Sequence, residues 1–141
     1  MQNKSVKYLH LRSGDSLPTM SEISPFKAIV IIEEDVSEFW QWDVSRWLVS
    51  SGCRYMLAWG TECTSWDESV DEAGLEAFDY EDIPEDQRVM TTSHDDEELS
   101  EAFWFAKHRA HHPAQELRDT IILHIAEQAR QQELIEMYED S

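Results

Sequence analysis

Two short runs place side chains able to do acid–base or metal chemistry where ligands would bind a parallel sheet. Glu33, Glu34 and Asp35 follow the apolar run Lys27–Ile32, and Asp95 and Asp96 follow the run Arg88–His94, which ends in an imidazole. Carboxylates that converge with one imidazole suit a hard divalent cation such as magnesium, which prefers oxygen ligands. On that reading Glu34, Asp35, His94 and Asp95 hold the metal, and the chemistry is phosphoryl transfer assisted by the bound ion. A local account competes with it. Asp35, Asp95 and Asp96 are also what a helix N-terminus prefers, for capping and for its dipole. No aspartate nucleophile within a strand and no glycine-rich phosphate loop accompanies them, since Gly14, Gly52, Gly60 and Gly74 are all far apart.

Other candidates are thinner. His108 and His112 stand four apart and would share a helix face, but zinc needs a third and a fourth ligand, and His111 lies partly off that face. His124 sits inside the run Thr120–Ala126 and reads as a hydrogen-bonded core histidine. Cys53 opens an apolar run and reads as a small buried hydrophobe, whereas Cys63 falls in a loop where exposure is expected. A catalytic thiol wants electropositive neighbours, and Cys63 follows Glu62. The sequence has no GxSxG, HExxH, paired CxxC or EF-hand loop. The balance leans away from an enzyme, and no cofactor is expected outside the magnesium alternative.

The charge is more informative. The 141 residues carry a formal net charge of −19. Between Glu62 and Glu101 there are sixteen acids and one base, Arg88. Such a field repels phosphate backbones and anionic lipid heads, so neither nucleic acid nor membrane is an expected partner. It favours a basic protein, chiefly by speeding encounter. Solubility alone is the bland account of the same residues. Six tryptophans are many for this length. Trp40 and Trp47 fall on one helical stripe, while Trp42 and Trp104 fall off theirs and are candidates for interface anchors or self-association.

These residues need elements to position them. Lys27–Ile32 is an unbroken β-branched run, which predicts a strand buried on both faces. Val36, Trp40, Val44, Trp47 and Leu48 recur at helical spacing, with Asp35 and Glu38 as a capping box and Gly52 as the stop. Cys53–Gly60 reads as a strand. Trp66, Val70, Ala73 and Ala77 form the stripe of a helix capped by Ser65. Arg88–His94 is a Val- and Thr-rich strand, and a helix beginning at Asp95 or Asp96 ends at Pro113. Thr120–Ala126 is a further strand, and the chain closes with a helix. Alternation of this kind predicts a single-domain three-layer α/β/α fold with a mostly parallel sheet. A flavodoxin-like strand order 2-1-3-4, counted from Lys27–Ile32, is favoured, with the run VKYLHLR as an N-terminal edge strand. Residues 1–25 then form edge strand and loop, and residues 26–141 the α/β domain. That order makes the Lys27–Ile32 and Arg88–His94 strands neighbours, which would bring the two acidic runs together. The polar start MQNKSVKYLHLRSG lacks a signal-peptide core, and no apolar run is long enough to span a bilayer.

The stretch WDESVDEAGLEAFDYEDIPEDQRVMTTSHDDEELSEAFWFAKHRAHHP, Trp66–Pro113, resembles a small bacterial domain family of unknown function. The resemblance implies a bacterial cytoplasmic setting. It brings no activity, cofactor or functional residue with it.

The expectation from these readings is a small acidic non-enzymatic interaction module, immunity-, antitoxin- or regulator-like, that docks a basic partner. Its contact residues are Asp67, Glu68, Asp71, Glu72, Glu76, Asp79, Glu81 and Asp82, with Trp66 as aromatic anchor. The alternative is a divalent-cation-dependent enzyme or receiver-like phosphoacceptor using the strand-end carboxylates. The oligomeric state is left open.

Overall fold

In a computed structural model, which describes residues 5–19 and 25–141, the apolar runs become a parallel sheet with helices on both faces. The first four residues of the polar start and residues 20–24 of the following loop lie outside the described residues. The strands are β1 (Ser5–Leu11), β2 (Phe26–Ile32), β3 (Cys53–Gly60), β4 (Met90–Ser93) and β5 (Asp119–Ile125). The helices are α1 (Glu38–Ser51), α2 (Cys63–Ala77), α3 (Leu99–His108) and α4 (Gln131–Glu139). All four strand pairings are parallel, and the order is β1-β5-β2-β3-β4.

The expected order 2-1-3-4 is therefore corrected. β2 lies between β5 and β3 and does not touch β4. Burial explains the change. From Thr120 onward β5 is buried along its whole length, so it belongs inside the sheet; β4 is four residues of Met, Thr and Ser, none fully buried, and suits an edge. The N-terminal strand is an edge as expected, paired with β5 from Ser5 opposite Asp119 to Leu11 opposite Ile125.

Alternation along the strands divides the core in two. Ala28, Val30 and Ile32 of β2 face Trp40, Val44 and Leu48 of α1 and Trp66 and Val70 of α2. Ile29 and Ile31 face Phe103 and Ala106 of α3 and Leu134 and Tyr138 of α4. α1 and α2, which follow β2 and β3, thus share one face, and α3 and α4 share the other. The crevice where the direction of winding reverses lies between β2 and β5, the usual place for a ligand in such sheets.

Three helix starts differ from expectation. The Ser37 hydroxyl, two residues past Asp35, caps α1 by accepting from Trp40 N–H at 3.2 Å. α2 starts at Cys63, ahead of Ser65, and Glu62 enters it with φ 56°. α3 starts at Leu99, where the Glu101 carboxylate accepts the Glu98 N–H at 3.1 Å, a reach of the capping-box kind that leaves Asp95 and Asp96 in the preceding turn. Gly52 ends α1 as expected, left-handed at φ 105°.

Candidate functional site

The two acidic runs do not meet. Glu34 and Asp35 follow β2, His94 and Asp95 follow β4, and β3 runs between. Strands sit about 4.8 Å apart, so the backbones of the two runs are separated by roughly 10 Å across β3. Each run is also engaged locally. Glu34 accepts the Ser13 N–H through Oε1 at 2.8 Å. The buried His94 ring takes the Thr92 hydroxyl on Nε2 at 3.0 Å, donates Nδ1–H to Glu97 at 3.1 Å, and packs on Phe105. Among the described residues, no group of three or more His, Cys, Asp or Glu side chains is placed to hold a metal ion. The zinc geometry fails for another reason. His112 lies beyond the end of α3, buried in the loop, where it donates to the Arg88 carbonyl at 2.8 Å and accepts from Ala114 N–H at 3.0 Å.

What does gather at the winding crevice is a set that sequence spacing hides. His124 on β5 is fully buried. Its Nδ1 accepts from the Tyr8 hydroxyl at 2.7 Å, and its Nε2–H donates to Glu33 Oε1 at 2.5 Å. Arg130, just before α4, donates its backbone N–H to the Tyr8 oxygen at 3.0 Å and its guanidinium to Glu33 at 2.5 Å and Glu133 at 2.6 Å. His10 donates to the Ala126 carbonyl at 2.6 Å. The chain of bonds ties β1, β5, the end of β2 and the start of α4. Burial pushes the His124 pKa down, and the Glu33 carboxylate reverses this only in part, so the ring is neutral. Burial pulls Glu33 upward, but hydrogen bonds from His124 and Arg130 outweigh it and hold the carboxylate below its ordinary value. With both ring nitrogens engaged, His124 is the hydrogen-bonded core histidine that its apolar neighbours suggest. It is not presented to a substrate.

The acidic stretch folds together at the opposite, β4 end of the sheet. α2 packs over β3 and β4, and residues 78–89 lead from its end into β4. Glu68, Asp71, Asp79, Glu81 and Asp82 are exposed, and Asp67, Glu72 and Glu76 are half-buried. Among the described residues only Glu76 of these eight has a cationic partner, Arg46 at 2.8 Å. α2 ends in a Schellman turn: Asp79 is left-handed at φ 53° and donates to Glu76 O, and Tyr80 donates to Leu75 O at 2.9 Å. That turn leaves Tyr80 and Leu75 as exposed apolar surface amid the carboxylates.

Trp66 is a correction. It is 1% exposed, packed between α2 and the sheet, because its stripe of Val70 and Ala73 is the buried one. It anchors α2 internally and reaches no partner. Cys63 is likewise buried in the first turn of α2, so the expected exposure is corrected too. Trp42 is half-buried against the same core, its ring under Arg46. Trp104 is 45% exposed, between His108 and Arg109.

No helix among the described residues is long and apolar enough to cross a membrane. No curated protein and no solved structure matches the chain. A family model described as a domain of unknown function, DUF7684, matches residues 6–141, well beyond the Trp66–Pro113 stretch that carried the resemblance. The chain belongs to this DUF7684 family.

Proposed function

We propose that the protein is an interaction module that docks a basic protein surface through the acidic face of α2, residues 79–87 and the start of α3, in a bacterial cytoplasm. One observation carries the reading: of the eight carboxylates Asp67, Glu68, Asp71, Glu72, Glu76, Asp79, Glu81 and Asp82, seven make no ion pair among the described residues. Like charges held this close destabilise the fold through mutual repulsion, and a cationic surface relieves that repulsion on binding. Leu75 and Tyr80 supply apolar area within the charged surround, the arrangement of interface core and polar rim. An immunity-, antitoxin- or regulator-like role fits a module of this kind.

The test is recovery of partners from native lysate in low and in high salt, with Glu68→Lys, Asp71→Lys, Glu81→Lys and Asp82→Lys combined in a second bait. Basic proteins retained by the wild type, released by salt and lost with the reversed bait support the reading. Equal recovery on both baits overturns it.

A further inference from the structure

We infer that the outer edge of β4 is a docking strand, along which an extended, lysine- or arginine-rich segment of a partner protein adds as a further strand of the sheet. The inference rests on the basic-partner reading above and specifies how that partner is held.

Among the described residues β4 pairs with β3 alone. The bond from His94 N–H to Ala58 O at 2.9 Å sets the phase of the ladder. In a parallel ladder, alternate residues turn both backbone groups to the same neighbour. Met90, Thr92 and His94 therefore face β3, and the N–H and C=O of Thr91 and Ser93 point away from it. Among the described residues no backbone bond outside the ladder reaches these groups. They form a short pairing template of the kind extended peptides use.

Beside this edge runs a groove of about 620 Å³ between α2, the 81–83 segment and β4. Gly74 opens its floor: a Cβ there would come no closer than 4.0 Å to Val89, its nearest neighbour. Leu75 and Met90 give it apolar walls, and Asp71, Glu81 and Asp82 give it negative charge, against which Arg88 is the one base. A strand laid on Thr91 and Ser93 sends alternate side chains toward that groove. Apolar residues would meet Leu75 and Met90, and ammonium or guanidinium groups would meet the carboxylates. The same charge keeps two copies of the chain from pairing edge to edge, so it acts as a selector for a basic strand as well as a guard against self-association.

The probe is a capped peptide alternating lysine and valine, compared with the same peptide N-methylated at every interior residue. The two have equal charge, but the second cannot donate to a ladder. Binding is followed by amide NMR titration and hydrogen exchange. The expected result is that the parent binds, slows exchange at Thr91 and Ser93, and exceeds the methylated peptide by about tenfold or more. Thr91→Pro removes one outward N–H at an edge position that tolerates proline, and should weaken the parent similarly while leaving the far-ultraviolet spectrum unchanged. Equal binding of the two peptides overturns the docking strand and leaves electrostatic docking standing. No binding of either peptide also overturns it, and the charge-reversed bait then decides the wider reading by itself.

Discussion

His124 on β5 donates its Nε2–H to the Glu33 carboxylate, at the end of β2, across 2.5 Å. The bond spans the crevice where the sheet reverses its winding, and Arg130 meets the same oxygen from the start of α4 at 2.5 Å. The pair therefore locks the end of the sheet remote from the acidic face. A neutral buried imidazole accepting from Tyr8 and donating to Glu33 has every polar atom satisfied, which is what makes its burial tolerable.

Protonation should break this arrangement. Burial first, offset only in part by Glu33, lowers the folded pKa of His124 below 6.5, so the unfolded chain takes up the proton more readily. That contribution to stability is complete above the unfolded pKa and declines as pH falls through the window beneath 6.5. Glu33, held low by His124 and Arg130 against the upward pull of burial, adds a second decline below 4.5. Acid also neutralises the mutually repelling carboxylates, so a single melt mixes opposite effects. The difference between wild type and His124→Gln isolates the ring, because glutamine can donate to Glu33 without titrating. The variant is expected to lose roughly 1–3 kcal/mol at pH 7.5, with the gap narrowing from pH 6.5 toward pH 5. A constant gap across that range in urea titrations would show that His124 does not titrate with folding.

How much of this was legible in the chain depends on the range of the interaction. The run Cys53–Gly60 matches β3, and the run Lys27–Ile32 falls one residue short of β2, because burial on both faces leaves a continuous signature. Helix starts were blurred by too many cap-competent residues: Asp35 and Ser37 before α1, and Asp95, Asp96 and Glu98 before α3. Strand order depends on which strand is driest, and the clue was the polarity of Met90–Ser93 set against Thr120–Ile125. The Tyr8–His124–Glu33–Arg130 set left no local mark. Tyr8 and His124 stand 116 positions apart, and Glu33 and Arg130 stand 97 apart. They meet only because β5 inserts between β1 and β2. The acidic stretch was readable because its members are close in sequence, whereas the groove beside β4 was not.

The two thiols should be chemically silent in the folded protein. Burial pushes the Cys53 thiol up to about 12, and a hydrogen bond to the Tyr55 carbonyl holds it in the β3 interior. Cys63 is buried in the first turn of α2. A disulfide reagent added at pH 8 should find no fast thiol in native protein and two in denaturant. A rapid native reaction at Cys63 would instead mean that the first turn of α2 opens readily, and hydrogen exchange of that turn would confirm it.

Two glycines offer opposite outcomes from the same substitution. Gly60 ends β3 at φ +109°, and a Cβ there would lie 2.1 Å from the Ile32 carbonyl oxygen, the atom that accepts the Thr61 N–H. Neither backbone can withdraw without opening the β2–β3 ladder, so Gly60→Ala should cost roughly 3 kcal/mol or more. Gly74 is helical, and its Cβ would make ordinary contact with Val89 at 4.0 Å. Alanine there removes the entropy penalty of a helical glycine and should stabilise by roughly 0.5–1 kcal/mol. The pair serves as its own control, since both add one methyl group to a strand or helix at the same sheet. Urea midpoints that move in opposite directions support this account. A destabilised Gly74→Ala would show that the space between α2 and β4 is already filled, which would also remove the groove on which strand docking depends.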